Sequence, residues 1–271
     1  MTPQAGECVW DCGSNQPFNR EHIIGRQFAK AIGMPFPVPI TWGEIERSTG
    51  RDFKHGQALE KELAICTDDR VCQRCNGQWM KKLDDRTVKA MRPALRANER
   101  VHLNQQKQLT VSRWATKVGL LLALWFHDQP LAPNSQLKAP IYVPADNFSR
   151  LYSRSTSLPE NTTVWFAAVD PTVPISECFI MASSIGRRPS GEPAGYYSIF
   201  RLRRVLFFVC GFSLDYKVLP AESLNPAACT RDQRAMRRLW PTREAVVEWP
   251  PPAYLDTEDH ARLVQGQPYR R

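Results

Sequence analysis

Four of the eight cysteines stand in two close pairs, a spacing typical of a structural zinc site. The pairs are Cys8 with Cys12 and Cys72 with Cys75. Thiolates are soft ligands, and the short loop inside each pair lets two sulfur atoms turn towards one tetrahedral ion. The long stretch between the pairs, residues 13–71, is tolerable because loop-closure entropy grows slowly with length. We therefore expect one zinc ion held by both pairs.

One competing ligand for this ion is Cys66, which stands only six residues before Cys72. Cys66 enters the site if one of the pairs is a coincidence of spacing. Four thiolates leave no open coordination position, so the zinc is predicted to be structural. The remaining cysteines, Cys178, Cys210 and Cys229, are scattered, and the first two lie in apolar stretches typical of a core.

Residues able to hold a second cation and to activate water lie beside the two pairs. Glu21 and His22 follow the first pair, and Asn76 directly follows Cys75. A zinc ion shared by the pairs is expected to bring these three residues together. Carboxylate and amide oxygens suit a hard divalent cation, and an imidazole suits a general base. Asn76 taken alone has another interpretation, a simple helix N-cap.

The composition indicates a folded, basic protein with polyanionic partners. The chain of 271 residues carries 36 Lys and Arg against 27 Asp and Glu, a formal net charge of +9. Such a surplus favours nucleic acid or an anionic membrane surface. The most apolar stretches, 118–126 and 205–212, are shorter than the roughly 18 residues of a spanning helix. The first residues lack a secretory signal pattern, so we expect a cytoplasmic protein without a membrane partner.

Helices are predicted to position the candidate residues. A turn of helix is expected over residues 25–33, after a short knuckle or hairpin, and a longer helix from Asn76, which Pro93 ends or kinks. A third helix, 104–127, is predicted to be buried. The helix after Asn76 has one apolar side, and its other side carries candidate ligands for a phosphate backbone: Lys81, Lys82, Arg86, Lys89 and Arg92. An ordinary solvated face is the alternative interpretation of these residues.

The second half of the chain has a different character. After a Pro- and Asn-containing linker at 128–140, β-branched and aromatic runs alternate with Pro, Gly and Ser, which predicts a mostly antiparallel sheet. The sequence thus favours an α+β protein of two units, residues 1–127 with an insertion at 33–65, and a β-rich unit at 140–271. Substrate recognition, oligomerisation and ligand sensing all stay open for the β-rich unit.

The stretch CVWDCGSNQPFNREHIIG, followed by VCQRCNGQWMKKLDD, resembles the zinc-containing branch of the HNH endonucleases, over about residues 7–32 and 66–85. The resemblance implies a ββα-metal, treble-clef-like fold in the first unit and a nuclease of bacterial or phage character. It implies His22 as the general base and Glu21 and Asn76 as ligands of a catalytic Mg²⁺ or Mn²⁺. The four paired cysteines are then the ligands of a separate zinc ion.

This chain departs from the family pattern at one point. The middle asparagine of the family motif, which orients the base, has no clear match, because the 33–65 insertion displaces the expected region. His55, inside that insertion, is a candidate for an accessory role.

The residue types suit phosphodiester hydrolysis, which needs a deprotonated water molecule and a cation to offset charge on the phosphate. We therefore expect a metal-dependent DNA endonuclease. Two alternatives stay open. One is a zinc-stapled nucleic-acid-binding module without turnover, and the other is a nuclease or binding protein directed to RNA.

Overall fold

The two cysteine pairs stand at one end of a short pair of antiparallel strands. We call this pair the hairpin, although residues 23–65 lie between its strands. Strand β1 (Phe18–His22) pairs with β4 (Cys66–Cys72), so that Phe18 is opposite Cys72 and His22 is opposite Cys66. The computed structural model describes the chain in these ranges: 7–35, 41–45, 53–55, 66–128, 141–153, 156–173, 178–213, 215–216 and 224–265.

A continuous helical run follows the hairpin, as the sequence predicts. Helix α2 (Gln73–Cys75) passes into a π-helical turn (Asn76–Met80) and then into α3 (Lys81–Ala97). The apolar side of α3 is buried, and its predicted basic residues are exposed. Pro93 does not end the helix, because the next turn still buries Ala94 and Leu95. The run stops at Asn98, whose left-handed φ of 55° is one that Asn tolerates.

Two further helices pack against α3. Helix α1 (Arg26–Ala31) contacts α3, and α4 (Gln105–Asp128) contacts both of them. The ring of Phe28 in α1 stacks on that of Trp114 in α4, with centroids 4.6 Å apart. Most of α4 is buried, which confirms the predicted core helix. Among the described residues, no helix has the length and apolar character needed to cross a bilayer.

A large sheet forms the β-rich part of the described chain, and its central strands are antiparallel, as predicted. Its order is β10-β6-β9-β8-β7-β2-β3, with β12 parallel to β6. The strands are β2 (Thr41–Ile45), β3 (Phe53–His55), β6 (Thr162–Val169), β7 (Cys178–Arg187), β8 (Pro193–Leu202), β9 (Val205–Phe212), β10 (Met236–Trp240) and β12 (Tyr254–Leu255).

Elements from the two halves of the chain pair with one another. Strand β2, from the 33–65 insertion, runs parallel to β7. Strand β5 (Val101–Asn104), between α3 and α4, pairs with β11 (Val246–Trp249). The α+β class is confirmed, with helices and a cysteine cluster first and a β-rich part second. The division into units at 1–127 and 140–271 stays a prediction.

Helices cover both faces of the sheet. Helix α4 and α5 (Ala145–Ser153) lie over one face, in a core that continues to the N-terminal helices. Helix α6 (Thr257–Gln265) lies over the other face. At Gly119 of α4, an added Cβ would stand only 3.1 Å from the Cβ of Val209 in β9. Helix and sheet therefore approach closely at that point, and α4 is fixed between the hairpin and the sheet.

Candidate functional site

The two cysteine pairs converge on one point, as predicted. The Sγ atoms of Cys8, Cys12, Cys72 and Cys75 all lie within 4.8 Å of one another. Sγ of Cys8 is 3.8 Å from that of Cys75, and Sγ of Cys12 is 3.4 Å from that of Cys72. A tetrahedron with Zn–S bonds of about 2.3 Å has edges of about 3.8 Å. The four sulfur atoms therefore form a possible zinc site.

Local backbone structure explains why the first pair can turn inward. The amide of Asp11 donates to the carbonyl of Cys8 at 2.9 Å, and the φ of Asp11 is 48°. Gly13 follows with a φ of 63°, and both residue types accept this left-handed region. The amide of Val9 donates to the carbonyl of Arg70 at 2.9 Å. The loop of the first pair is thereby tied to β4, the strand that leads to the second pair.

Cys66 begins the strand that Cys72 ends. Cys66 is paired with His22 and Cys72 with Phe18, four residues earlier on β1, so at about 3.3 Å per residue the two backbone positions are about 13 Å apart. The side chain of Cys66 lies outside the described residues, and the four paired cysteines form a full ligand set without it. The competing ligand set that includes Cys66 stays a hypothesis.

The cluster is half-enclosed and its thiols affect one another. Cys72 and Cys75 are buried, and Cys8 and Cys12 are half-buried. Hydrogen bonding with the Cys75 thiol lowers the pKa of Cys8 to about 5, and the same contact raises the pKa of Cys75. The ring of Trp10 packs edge-on against that of Trp79, 4.7 Å between centroids. Because the pKa of Cys8 is lowered, its thiolate is favoured, and the thiolate is the form that binds a metal ion.

Glu21 lies on β1, towards the end opposite the cysteines, and its side chain points into the protein. It is only 5 % exposed. Burial raises its pKa to about 7, while Lys117 lowers that pKa and Asp84 raises it. Among the described residues, none donates a hydrogen bond to its carboxylate. Glu21 is therefore a buried carboxylate beside the ammonium of Lys117, without a hydrogen-bond donor among the described residues.

Lys117 and Asp84 form a buried ion pair beside Glu21. Nζ of Lys117 is 2.5 Å from Oδ1 of Asp84, with side-chain exposures of 0 % and 19 %. Sequence reasoning missed this pair. The available signal was a lone lysine on the apolar side of α4, three residues after Trp114 and four before Leu121. A buried lysine requires an anionic partner, and Asp84 on the neighbouring helix provides one.

His22 and Asn76 are both within reach of solvent. His22 is half-buried, and burial together with Arg20 lowers its pKa, which favours the neutral imidazole. Asn76 lies inside the helical run with φ −59° and ψ −55°, so its interpretation as an N-cap is wrong. The described contacts connect Glu21 with Lys117 and Asp84, and its convergence with Asn76 stays a prediction. His55 ends β3, and its side chain lies outside the described residues.

The predicted basic residues of α3 form an exposed face. Among the described residues, none of them makes an ion pair, and the acidic neighbour Asp85 is also exposed. The residues are Lys81, Lys82, Arg86, Lys89 and Arg92.

The chain was compared with models of protein families, with curated proteins and with solved structures, and none of them matches it. The function is therefore inferred from the site itself.

Proposed function

We propose that the protein is a metal-dependent endonuclease of the HNH type that hydrolyses phosphodiester bonds in DNA. One observation carries the proposal. The four-cysteine cluster joins two distant pairs across a hairpin that bears Glu21 and His22, and the hairpin leads directly into the helix that bears Asn76. This order of strand, strand and helix around a metal cluster is the arrangement that the family resemblance implies.

Zinc fits the cluster, and its proposed role is structural. Four thiolates saturate a tetrahedral ion, so the ion connects the hairpin to the loop of the first pair and exposes no coordination position. Because a loop of this kind has little core of its own, metal binding contributes directly to its folding free energy.

His22 is the proposed general base. It stands at the end of β1, half-buried, where one side of the ring can meet a water molecule. An imidazole accepts a proton near neutral pH, which is the requirement for activating water at a phosphate. Its neighbour on the strand, Glu21, is buried, so of the two side chains that of His22 is the more accessible to a water molecule.

Glu21 and Asn76 are the proposed ligands of a catalytic Mg²⁺ or Mn²⁺. The Glu21 carboxylate fits a cation because, within the described chain, it is buried without a hydrogen-bond donor. A bound divalent ion supplies charge neutralisation on the phosphate. The π-helical turn at Asn76–Met80 is a distortion of the kind often found at functional sites.

DNA is the proposed substrate because the exposed cations of α3 lie beside the hairpin. Cations on a helix face bind the phosphate backbone without reading its sequence, and such binding weakens as salt increases. The surplus of positive charge over the whole chain, +9, supports the same partner.

A second candidate function, a zinc-stapled binding module without turnover, is favoured by the ion pair beside Glu21. The fully buried ammonium of Lys117 can neutralise nearby carboxylates without a divalent ion. In that case the hairpin and α3 bind nucleic acid and the inward-facing Glu21 is purely structural.

A plasmid-nicking assay tests the endonuclease proposal. Wild-type protein is expected to nick DNA with Mg²⁺ or Mn²⁺, and His22→Ala is expected to lose that activity while it keeps zinc and its fold. His102→Ala is a matched control, because His102 is an exposed histidine paired with Glu248, away from the hairpin. If the wild-type protein cleaves no DNA with any divalent metal, the endonuclease proposal is contradicted and the binding module is supported. A parallel assay on RNA of the same sequence separates the two substrates.

A further inference from the structure

Two neighbouring helices carry exposed cations beside the candidate general base. Helix α1 begins four residues after His22, and its Arg26 and Lys30 are both exposed at i,i+4 spacing. Helix α3 carries a second exposed pair at the same spacing, Arg92 and Arg96. Residues four apart lie on the same side of a helix, so each pair forms a short row.

Two close approaches fix how these helices lie against one another. A Cβ added to Gly25, just before α1, would stand 3.6 Å from Oδ2 of Asp84. A Cβ added to Gly33, just after α1, would stand 3.8 Å from Cγ of Arg96. The start of α1 therefore lies near Asp84 and its end near Arg96, so the two helices run side by side. Arg92 stands one turn before Arg96 on α3.

The sheet contributes the far end of this surface. Nη1 of Arg203, in the turn between β8 and β9, donates to the carbonyl of Ile32 at 3.1 Å and to that of Arg96 at 2.7 Å. The turn thus docks on the C-terminal ends of α1 and α3 together. The β-rich part of the chain is thereby attached close to the last turns of these helices, which carry Lys30 and Arg96.

Among the described residues, three of these four cations, Lys30, Arg92 and Arg96, make no ion pair. Like charges at i,i+4 spacing repel one another and destabilise a helix. Two such rows on adjacent helices concentrate positive charge that a polyanion would neutralise.

We infer that these four residues form a cationic track, defined as Arg26, Lys30, Arg92 and Arg96, that binds the phosphate backbone of the nucleic acid and leads it from His22 towards the Arg203 turn. The inference rests on the proposed function for the nature of the polyanion. Gly25 and Gly33, which flank α1, are eight positions apart, or about 12 Å at the rise of a helix. At 3.4 Å per nucleotide along one strand, the track covers about three to four phosphates.

Duplex binding at several salt concentrations tests the track. The zinc-loaded full chain with His22→Ala is used so that binding is measured without cleavage, on a fluorescent 30-base-pair DNA. The triple change Lys30→Gln, Arg92→Gln and Arg96→Gln is expected to weaken binding at least tenfold at low salt. The slope of log K against log[salt] is expected to fall by about 2–3, since each lost phosphate contact removes about 0.9.

A second triple variant provides the matched control. It removes the same charge from Arg231, Arg234 and Arg262, which belong to the C-terminal part of the chain and are each paired with a carboxylate there. This variant is expected to keep the salt slope of the parent. An equal loss of slope in both triple variants overturns the track, because binding then follows net charge alone.

Further outcomes separate the track from its competitors. Lys30 and Arg96 stand in the last turns of their helices, where a cation stabilises the helix dipole. A lower melting temperature with an unchanged salt slope assigns them that role and overturns the track. Track-dependent binding to anionic phospholipid vesicles, with DNA binding unchanged, also overturns it. A last outcome is that the wild-type protein cleaves no DNA and the first triple variant still loses DNA binding. In that case the endonuclease proposal fails and the track stands.

Discussion

At the scale of single residues, the cysteine cluster depends on all four thiols. Cys75 is buried and lies 3.8 Å from Cys8. Cys75→Ser is expected to lower bound zinc from one ion per chain to nearly none, because a neutral hydroxyl is a poor zinc ligand. Elemental analysis of zinc in purified protein measures the change. Cys229→Ser, at a buried cysteine outside the cluster, is expected to keep its zinc, and full zinc in Cys75→Ser contradicts the site.

Glu21 gives the molecule a predicted pH dependence. Burial raises its pKa from 4.5 to about 7, so between these values the folded state keeps a proton that the unfolded chain releases. Stability is therefore expected to fall as pH rises from about 4.5 through about 7, by at most about 3 kcal/mol. Glu21→Gln cannot ionise and is expected to lack this decline.

Urea unfolding of the two zinc-loaded proteins across this pH range measures the difference, without added Mg²⁺. The stability advantage of Glu21→Gln should widen as pH rises. Glu99→Gln, at an exposed position, is expected to follow the wild type at every pH. Parallel curves for Glu21→Gln and the wild type contradict the buried, donor-poor environment of this carboxylate.

The cysteine cluster and the ion pair of Lys117 with Asp84 differ in how far the sequence predicts them. The cysteine cluster was predictable because zinc ligands have a characteristic local spacing. The pair of Lys117 with Asp84 was not, since 33 positions separate the two residues. Only the packing of α4 against α3 brings them together, and no local pattern encodes that packing.

At the scale of elements, Arg203 connects the sheet to two helices. Its guanidinium bonds to the carbonyls of Ile32 and Arg96, at the C-terminal ends of α1 and α3. Arg203→Ala is expected to reduce the free energy of unfolding by about 1–3 kcal/mol, because hydrogen bonds from a charged donor are lost. Thermal and urea unfolding measure the loss.

Arg204, the next residue, is the control for Arg203. Its charge only helps to lower the pKa of Asp170, a half-buried carboxylate, so Arg204→Ala is expected to change stability much less than Arg203→Ala does. Equal effects of the two substitutions would show that the hydrogen bonds from Arg203 to the helix ends do not stabilise the contact between sheet and helices.

The predicted elements were those with a strong internal period. Helix α4 and the apolar side of α3 follow a 3.6-residue period, and β6 to β9 are long β-branched and aromatic runs. The pairings of β2 with β7 and of β5 with β11 were not predicted. These strands are short, and their partners lie more than a hundred residues away. Pro93 is predicted to end or kink the helix, but α3 continues through it to Ala97, because burial of the following turn outweighs the lost hydrogen bond.

At the scale of the whole molecule, α4 joins the two halves. Its residues are buried against both the hairpin side and the sheet, and Gly119 lies close to Val209. A fragment of residues 1–128 is therefore expected to expose this apolar helix and to aggregate or bind a hydrophobic dye, even with zinc. The full chain is expected to unfold in one cooperative transition. A soluble fragment that binds zinc and unfolds cooperatively would instead favour independent units at 1–127 and 140–271.

The separation of the cysteine pairs along the chain affects how the protein is made. Cys12 and Cys72 are 60 positions apart. At about 5–20 residues per second, the ribosome releases the first pair about 3–12 seconds before the second. During that interval the nascent chain carries two reduced thiols with no partners. We therefore expect metal acquisition to be a late step of biosynthesis, and a stalled chain that ends before β4 should hold zinc only weakly.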